Sequence, residues 1–503
     1  MSDLPRPFPP GDYPVVVVGS GPGGLQVSYS LRQLGVPHAV ISADPSPGGM
    51  FRRWPLFQRL LSWTKPYAAD GAGSPRYERT DWNSLLADEP EARALQATHM
   101  DGASYFPSRP EMEANLVDFA ARAGIEVRYG CAWESTARID DGSEMRFALT
   151  TSDGVYRCRV AIFAVGVAEP WNPAIPGIEL AHHYADVRPP PSYAGKRLFI
   201  IGKRNSGFEL ASGLLQWAKS IALASPTPAR LSVVTKSLMG VRARYAQPFE
   251  DNALGGGCVI LDAAIDRIVA EGSALRVHLR RSSDGSALSV EADDVINATG
   301  FITPLRDLPA LGVATFGQSR LPAQTAWWES ATIPGIHFAG TITQGAPSLS
   351  KNGIPPNSGA VHGNRYNSRI LARRIAETAF GVAPLATPVS CDGLVPALMR
   401  EADQSADLWH QRGYLARVMT ASTDHGIADR GMMPLTAFLD EATDTDGVAL
   451  TIESDGTGAI YPVLYVRRHG NIAEHRLPDN EMADFTTAEH RKAMAAAVAD
   501  LGT

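Results

Sequence analysis

The chain has 503 residues, with 46 lysines and arginines against 53 aspartates and glutamates, and a formal net charge of -7. That length allows several domains with separate cores, and 44% hydrophobic with 20% charged residues is the composition of a globular protein. The acidic balance shows no basic stripe of the kind a nucleic-acid surface needs, and no apolar run reaches the roughly 20 residues of a membrane-spanning helix.

The residues up to Tyr13 are proline-rich and hold no apolar leader core, which predicts an irregular arm and a cytoplasmic protein. Pro14 and four valines then read as a buried strand. It runs into Gly19-Ser20-Gly21-Pro22-Gly23-Gly24, followed by helical spacing over 25–34 and a strand over 39–41. Strand, glycine turn, helix, strand is the unit that binds a dinucleotide. Gly19 permits the turn, Gly21 lets the backbone approach a pyrophosphate, and Gly24 lets the helix pack on the strand. The helix N-terminus offers free N–H groups to the phosphates. Ser42 stands where an acidic ribose ligand is usual, so Asp44 is the ribose candidate, with a solvated turn residue as its alternative. The pair Gly48-Gly49 predicts a loop beside a flavin, with Gly49 against the cofactor. Trp54 packs either on the flavin or in the core.

A helix is expected over 111–124, and strands over 125–129, 145–151 and 155–163. A proline-rich crossing between domains follows at 170–177. A second unit has a strand at 197–201, the turn Gly202-Lys203-Arg204-Asn205-Ser206-Gly207, a helix over 208–219 and a strand over 231–234. Gly202, Asn205, Ser206 and Gly207 are its cofactor candidates. Lys236 ends the expected last strand where a carboxylate would select NADH. With Arg242 and Arg244 it forms a candidate pocket for the 2′-phosphate of NADPH, against the alternative of a solvated basic face. A return crossing is expected near 297–304, and Gly340 lies in a stretch that meets FAD.

The predicted fold class is α/β, with two Rossmann-like dinucleotide-binding domains and an additional α+β C-terminal region. The expected parts are 1–172 and 299–384 for FAD, 173–298 for NADPH, and 385–503 for the tail. Within the tail a helix over 402–419 and strands over 448–453 and 460–467 are expected. Four cysteines, Cys131, Cys158, Cys258 and Cys391, form no C-x-x-C pair, which argues against a local dithiol relay.

Gly19 to Gly24, the Gly48-Gly49 loop, Asn205-Ser206-Gly207-x-Glu209 and Asn297-Ala298-Thr299-Gly300-Phe301 together resemble the class B flavin monooxygenases. A resemblance covering nearly the whole chain is to the FAD-dependent oxidoreductase domain-containing proteins. It rests on Gly21-Pro22-Gly23-Gly24-Leu25-Gln26, Asp81-Trp82-Asn83-Ser84, His362-Gly363-x-Arg365-Tyr366, Leu408-Trp409-His410 and Tyr461-Pro462-Val463-Leu464-Tyr465. The resemblance implies FAD, NADPH, molecular oxygen and a small or carrier-bound organic substrate. The implied reaction is Baeyer–Villiger insertion or heteroatom oxidation, in the setting of natural-product tailoring.

Two departures from the class B pattern stand out. The Baeyer–Villiger fingerprint is not intact around Gly177 to Tyr184, where His183 and Tyr184 survive. Thr64 stands where those enzymes often carry an asparagine near the flavin. Candidate catalytic donors are therefore Arg53, Thr64, Lys65, Lys351 and Asn352, each with an alternative as a loop hydrogen-bonder. Two other readings stay open: a reductase or oxidase without oxygen transfer, and a flavin-bearing adaptor using Trp409-His410 and the tail as a partner surface.

Overall fold

The computed structural model describes residues 6–53, 59–68, 71, 74, 76–140, 142–235, 240–422, 426–499 and 501. Trp54 and Lys236 lie outside the described residues.

The four valines sit in the strand Gly11–Val18, which begins earlier than the proline-rich arm suggested. It lies between His38–Ile41 and Gly154–Phe163 and is parallel to both, with Val15 opposite His38 on one side and Val160 on the other. A strand flanked on both edges in a parallel sheet is covered on both faces, which is why its valines run without alternation. Phe147–Thr151 and Trp133–Arg138 extend the sheet antiparallel, and Ile336–Phe338 returns late in the chain to pair parallel with Gly154–Phe163. The helices Pro22–Gln33 and Val361–Phe380 pack on this sheet, and their apolar faces share one core with Leu116 and Phe119. Helix Arg109–Arg122 starts in a capping box: Glu111 N donates to Ser108 Oγ, and Ser108 N donates to the Glu111 carboxylate at 2.6 Å. The expected strand over 125–129 does not form. Arg128 makes a single bridge to Ile41, because the Gly124 and Gly130 turns leave too short a run.

The second sheet has the order Ala287–Ala292, Ala274–Arg281, Cys258–Glu271, Ser220–Ser225, Arg197–Ile201, Asp294–Asn297, His182–His183. The strand after helix Asn205–Leu214 is Ser220–Ser225, parallel to Arg197–Ile201, and not 231–234, where Ser232–Thr235 is a helical turn. Ser-Ile-Ala-Leu-Ala-Ser lacks the β-branched signature of a strand, yet Ile221 to Ala224 are buried because small side chains suit a strand covered on both faces.

The two chain crossings between the sheets are tied together. Glu169–Pro170 pairs antiparallel with Phe301–Ile302. Asn297 donates to the Trp171 carbonyl at 3.2 Å and to the Asn172 side chain at 2.8 Å. His183, the surviving histidine of the disturbed fingerprint, joins this knot through a 3.0 Å contact between Nε2 and the Gly300 carbonyl.

The tail forms a six-stranded antiparallel sheet, including Asp446–Ser454 and Ile460–Arg468, backed by helix Cys391–Gln404. The helix expected over 402–419 is three pieces: the end of Cys391–Gln404, the short helix Ala406–His410, and the strand Leu415–Ser422. Among the described residues no helix is long and apolar enough to cross a membrane.

Candidate active site

One continuous cavity of about 2010 Å³ runs between the first two sheets and against the tail. Small-ligand pockets are commonly 300–1,000 Å³, so this space is large enough for two dinucleotides and a substrate.

Its first end is the glycine turn. A side chain on Gly24 would put Cβ 1.9 Å from the Gly19 carbonyl oxygen, and one on Gly23 would put it 2.3 Å from Gly340 Cα. These two glycines are fixed by packing. Gly21 differs: its Cβ would meet nothing nearer than Gly49 Cα at 3.8 Å, so Gly21 and Gly49 leave a bare-backbone groove open to the cavity. No side chain caps the helix that starts at Pro22, which leaves its N-terminal N–H groups and dipole facing that groove. Asp44 also lines the cavity, 2.6 Å from the Arg53 guanidinium. This groove fits FAD, whose pyrophosphate would lie at Gly19 to Gly23, its adenosine ribose at Asp44 and its ring end toward Gly49 and Gly340. Arg53 is thereby drawn to Asp44 and not to the Gly49–Gly340 end of the groove.

The second end is the N-terminus of helix Asn205–Leu214, where Asn205 and Ser206 line the cavity. A Cβ on Gly207 would sit 2.2 Å from the Gly202 carbonyl oxygen, repeating the Gly24–Gly19 contact. Asn205 clamps the loop opposite: its Oδ1 accepts from Arg242 N at 3.0 Å and its Nδ2 donates to the Gly240 carbonyl at 3.3 Å. Lys203 turns away and pairs with Asp262. Arg242 and Arg244 do line the cavity. They face the flavin half, with guanidinium groups 6.0 Å from the Trp63 ring and 5.0 Å from the Phe106 ring.

Of the catalytic candidates, Thr64 is fully buried and committed to the chain. Its hydroxyl donates to Asp81 at 2.8 Å and accepts from Asn83 Nδ2 at 3.1 Å. The hydroxyl therefore braces a loop and has no donor left for a cofactor. Lys65 is exposed, its ammonium 5.2 Å from the Trp63 ring centroid, at a small outer pocket shared with Tyr67 and Tyr105. Lys351 is drawn to the tail, where its ammonium meets Glu453 at 3.2 Å and Glu474 at 2.7 Å. Asn352 donates to the Ser454 carbonyl at 3.1 Å. Lys351 and Asn352 thus fasten the FAD half to the tail sheet, because two carboxylates there outbid an uncharged flavin edge.

Glu209, which closes the Asn-Ser-Gly-x-Glu motif but is not among the candidate residues named above, is also placed at the cavity. Its carboxyl lines the cavity and accepts from Tyr184 at 2.8 Å and Tyr245 at 2.9 Å. Burial pushes it up to about 7, against the lowering effect of the two tyrosine hydroxyls. A carboxyl raised in the folded state leaves stability intact at low pH. That stability is lost as pH rises from the ordinary carboxyl range through about 7. The melting temperature is therefore expected to fall across that interval, and Glu209→Gln to flatten the fall. An unchanged slope in the variant would show that Glu209 does not titrate there.

Two stacked Rossmann-like units with a shared cavity define a two-dinucleotide flavoprotein. Residues 16–340 match the pyridine nucleotide-disulphide oxidoreductase family, and the chain belongs to it. FAD is the cofactor of this family architecture, with NADPH as the usual partner. The chain is 28% identical over 433 residues to the FAD-dependent oxidoreductase domain-containing protein 2 of Mus musculus, covering 80% of this chain and 64% of that protein. It thus spans less than two thirds of that relative's length. It is 26% identical over 204 residues to the indole-3-pyruvate monooxygenase YUCCA1 of Oryza sativa subsp. japonica, covering 40% of this chain and 44% of that one. The fold is shared with a flavin-containing monooxygenase from Stenotrophomonas maltophilia at a TM-score of 0.54 and 20% identity, over 74% of this chain and 99% of that one.

Proposed function

We propose that the protein is an NADPH-dependent flavoprotein monooxygenase acting on a small organic substrate. The observation that carries this reading is that no cysteine lines the cavity. Cys131, Cys158 and Cys258 are buried, and Cys391 is exposed on the tail. Burial pushes the thiols of Cys131 and Cys158 up and that of Cys258 to about 12, so none is a ready thiolate. Electrons reaching the flavin have no cavity-lining thiol to leave by, and the aromatic rings of Trp63, Trp82 and Phe106 stand on the cavity wall to shield a reacting centre. Bound FAD supplies the hydride acceptor and the oxygen chemistry. The chain's own part is to place the nicotinamide dinucleotide against the helix at Asn205, to shield the centre with Trp63 and Trp82, and to hold a proton on Glu209 near neutral pH. The similarity to the plant indole-3-pyruvate monooxygenase supports oxygen transfer over plain reduction.

Preference for NADPH now rests on the strand Ser220–Ser225. The stretch after it, Pro226-Thr227-Pro228-Ala229-Arg230, contains no carboxylate to hold a ribose 2′-hydroxyl, and Arg230 is exposed. The test is anaerobic flavin reduction. NADPH is expected to bleach the flavin faster than NADH, and single Cys→Ala variants at all four positions are expected to keep the wild-type rate. A Cys→Ala variant that keeps FAD and is reduced at the wild-type rate, yet loses NADPH turnover in air, would restore a thiol relay and sink the proposal.

A further inference from the structure

On the tail side the cavity holds a chamber that neither dinucleotide turn accounts for. Trp82 lies against Trp63 with ring centroids 3.8 Å apart and against His362 at 4.1 Å. His410 closes the group edge-on, 5.6 Å from Trp82. All four side chains line the cavity. His362 opens the helix Val361–Phe380 and is 1% exposed, yet among the described residues neither of its ring nitrogens has a hydrogen-bond partner. Burial, with the charges of His410 and Arg365 next, holds it neutral. Both nitrogens of this buried ring on the cavity wall are thus left for a ligand to satisfy.

Two arginines complete the wall. The Arg79 guanidinium sits 3.6 Å from the Trp409 ring centroid, and its carbonyl accepts from Trp82 Nε1 at 3.2 Å. Arg412 lies 5.8 Å from the same ring and donates Nε to the Trp409 carbonyl at 3.2 Å. Among the described residues neither forms an ion pair with a carboxylate. The neighbouring Asp403 is taken by Arg76 at 2.6 Å and lends Arg79 only its backbone carbonyl. Burial first, and the Arg79 charge second, bring Arg412 down to about 10. Among the described residues the cavity wall carries eight arginines and three carboxylates. Of those three, Asp44 is paired with Arg53 and Glu209 is held by two tyrosines. Arg79 and Arg412 are half-buried on the cavity wall without a carboxylate partner among the described residues, a setting that an incoming anion would complete.

Building on the monooxygenase reading, we propose that this chamber is the substrate site and that it takes a planar aromatic carboxylate. The ring lies against Trp82 and His362, and the carboxylate meets Arg79 and Arg412. Stacking on an indole face accepts many ring systems, whereas a guanidinium fork selects a planar carboxylate. The chemistry therefore fixes the charge and flatness of the substrate more narrowly than its ring.

The test uses the FAD-loaded full chain and three probes with one ring system: naphthalene-2-carboxylate, 2-naphthalenemethanol and 2-naphthylmethylammonium. Binding is followed by perturbation of the oxidised-flavin spectrum and by tryptophan quenching, with no nicotinamide and no turnover, so the result stands apart from whether oxygen is transferred. The carboxylate is expected to bind about ten-fold or more tightly than the alcohol, the scale of one charge-assisted contact. Arg412→Gln is expected to erase that preference while the alcohol's affinity stays within about two-fold, and Trp82→Leu to weaken both probes. Arg79→Gln gives a second reading of the charge term should Arg412→Gln lose FAD. Equal binding of carboxylate and ammonium by the wild type, or an unchanged carboxylate preference in both arginine variants, would overturn the proposal.

Discussion

Gly21→Leu is expected to yield a folded protein that purifies without its flavin. Gly21 has φ near -76°, a conformation any residue adopts, so leucine introduces no backbone strain. Its Cβ would stand 3.8 Å from Gly49 Cα, in ordinary contact, and the rest of the side chain would fill the groove that faces the uncapped helix N-terminus. The same change at its neighbours would do something else. At Gly24 the Cβ would lie 1.9 Å from the Gly19 carbonyl oxygen, and at Gly23 2.3 Å from Gly340 Cα, both contacts with backbone that cannot yield. Gly24→Ala should therefore lower the melting temperature as well as the FAD content, whereas Gly21→Leu should lose FAD with native circular dichroism. Full flavin content in Gly21→Leu would remove the pyrophosphate from this turn.

Asp81→Ala is the second large effect. The Asp81 side chain is 1% exposed, and one of its oxygens accepts from Thr64 Oγ1 at 2.8 Å, from Asn83 N at 3.1 Å and from Ser84 N at 3.1 Å. Alanine would strand two buried N–H groups and a hydroxyl together, for a loss of about 3–5 kcal/mol. Thr64→Val breaks one of those bonds and leaves the two backbone N–H groups served, for about 1–2 kcal/mol. Because Asp81 anchors the turn that carries Trp82, the aromatic shelf should loosen in Asp81→Ala and stay in Thr64→Val. Denaturant unfolding of the holoprotein checks the order. If Thr64→Val proves as costly as Asp81→Ala, the hydroxyl does more than brace the loop.

Thr64 shows where sequence reasoning runs out. Its position relative to the glycine pair marks it as close to the flavin, and its neighbour Trp63 does line the cavity. What direction the hydroxyl takes is settled by Asp81 and Asn83, which approach from a later turn and leave no trace in local spacing. Lys351 fails for the same reason, since Glu453 and Glu474 reach it from strands more than 100 residues on. By contrast the glycine turns were legible because each is a steric requirement between near neighbours: Gly19 with Gly24, and Gly202 with Gly207. Ser220–Ser225 was missed because two alanines carry no strand signal until the flanking strands cover them. Glu209, His362, Trp82 and His410 all lay inside motifs that the sequence displayed. Their convergence on one cavity depends on the tail folding back against the FAD half, which no single segment encodes.

The most direct test of oxygen transfer needs no substrate. The holoprotein is reduced anaerobically with one equivalent of NADPH, mixed with oxygenated buffer, and followed at once by oxygen uptake, recovery of the oxidised-flavin band and hydrogen peroxide release. A monooxygenase that shields its reacting centre predicts oxygen uptake well ahead of the other two signals, because bound oxygen is retained until substrate or slow leakage discharges it. Simultaneous uptake, flavin recovery and hydrogen peroxide release would contradict the account and leave a plain NADPH oxidase.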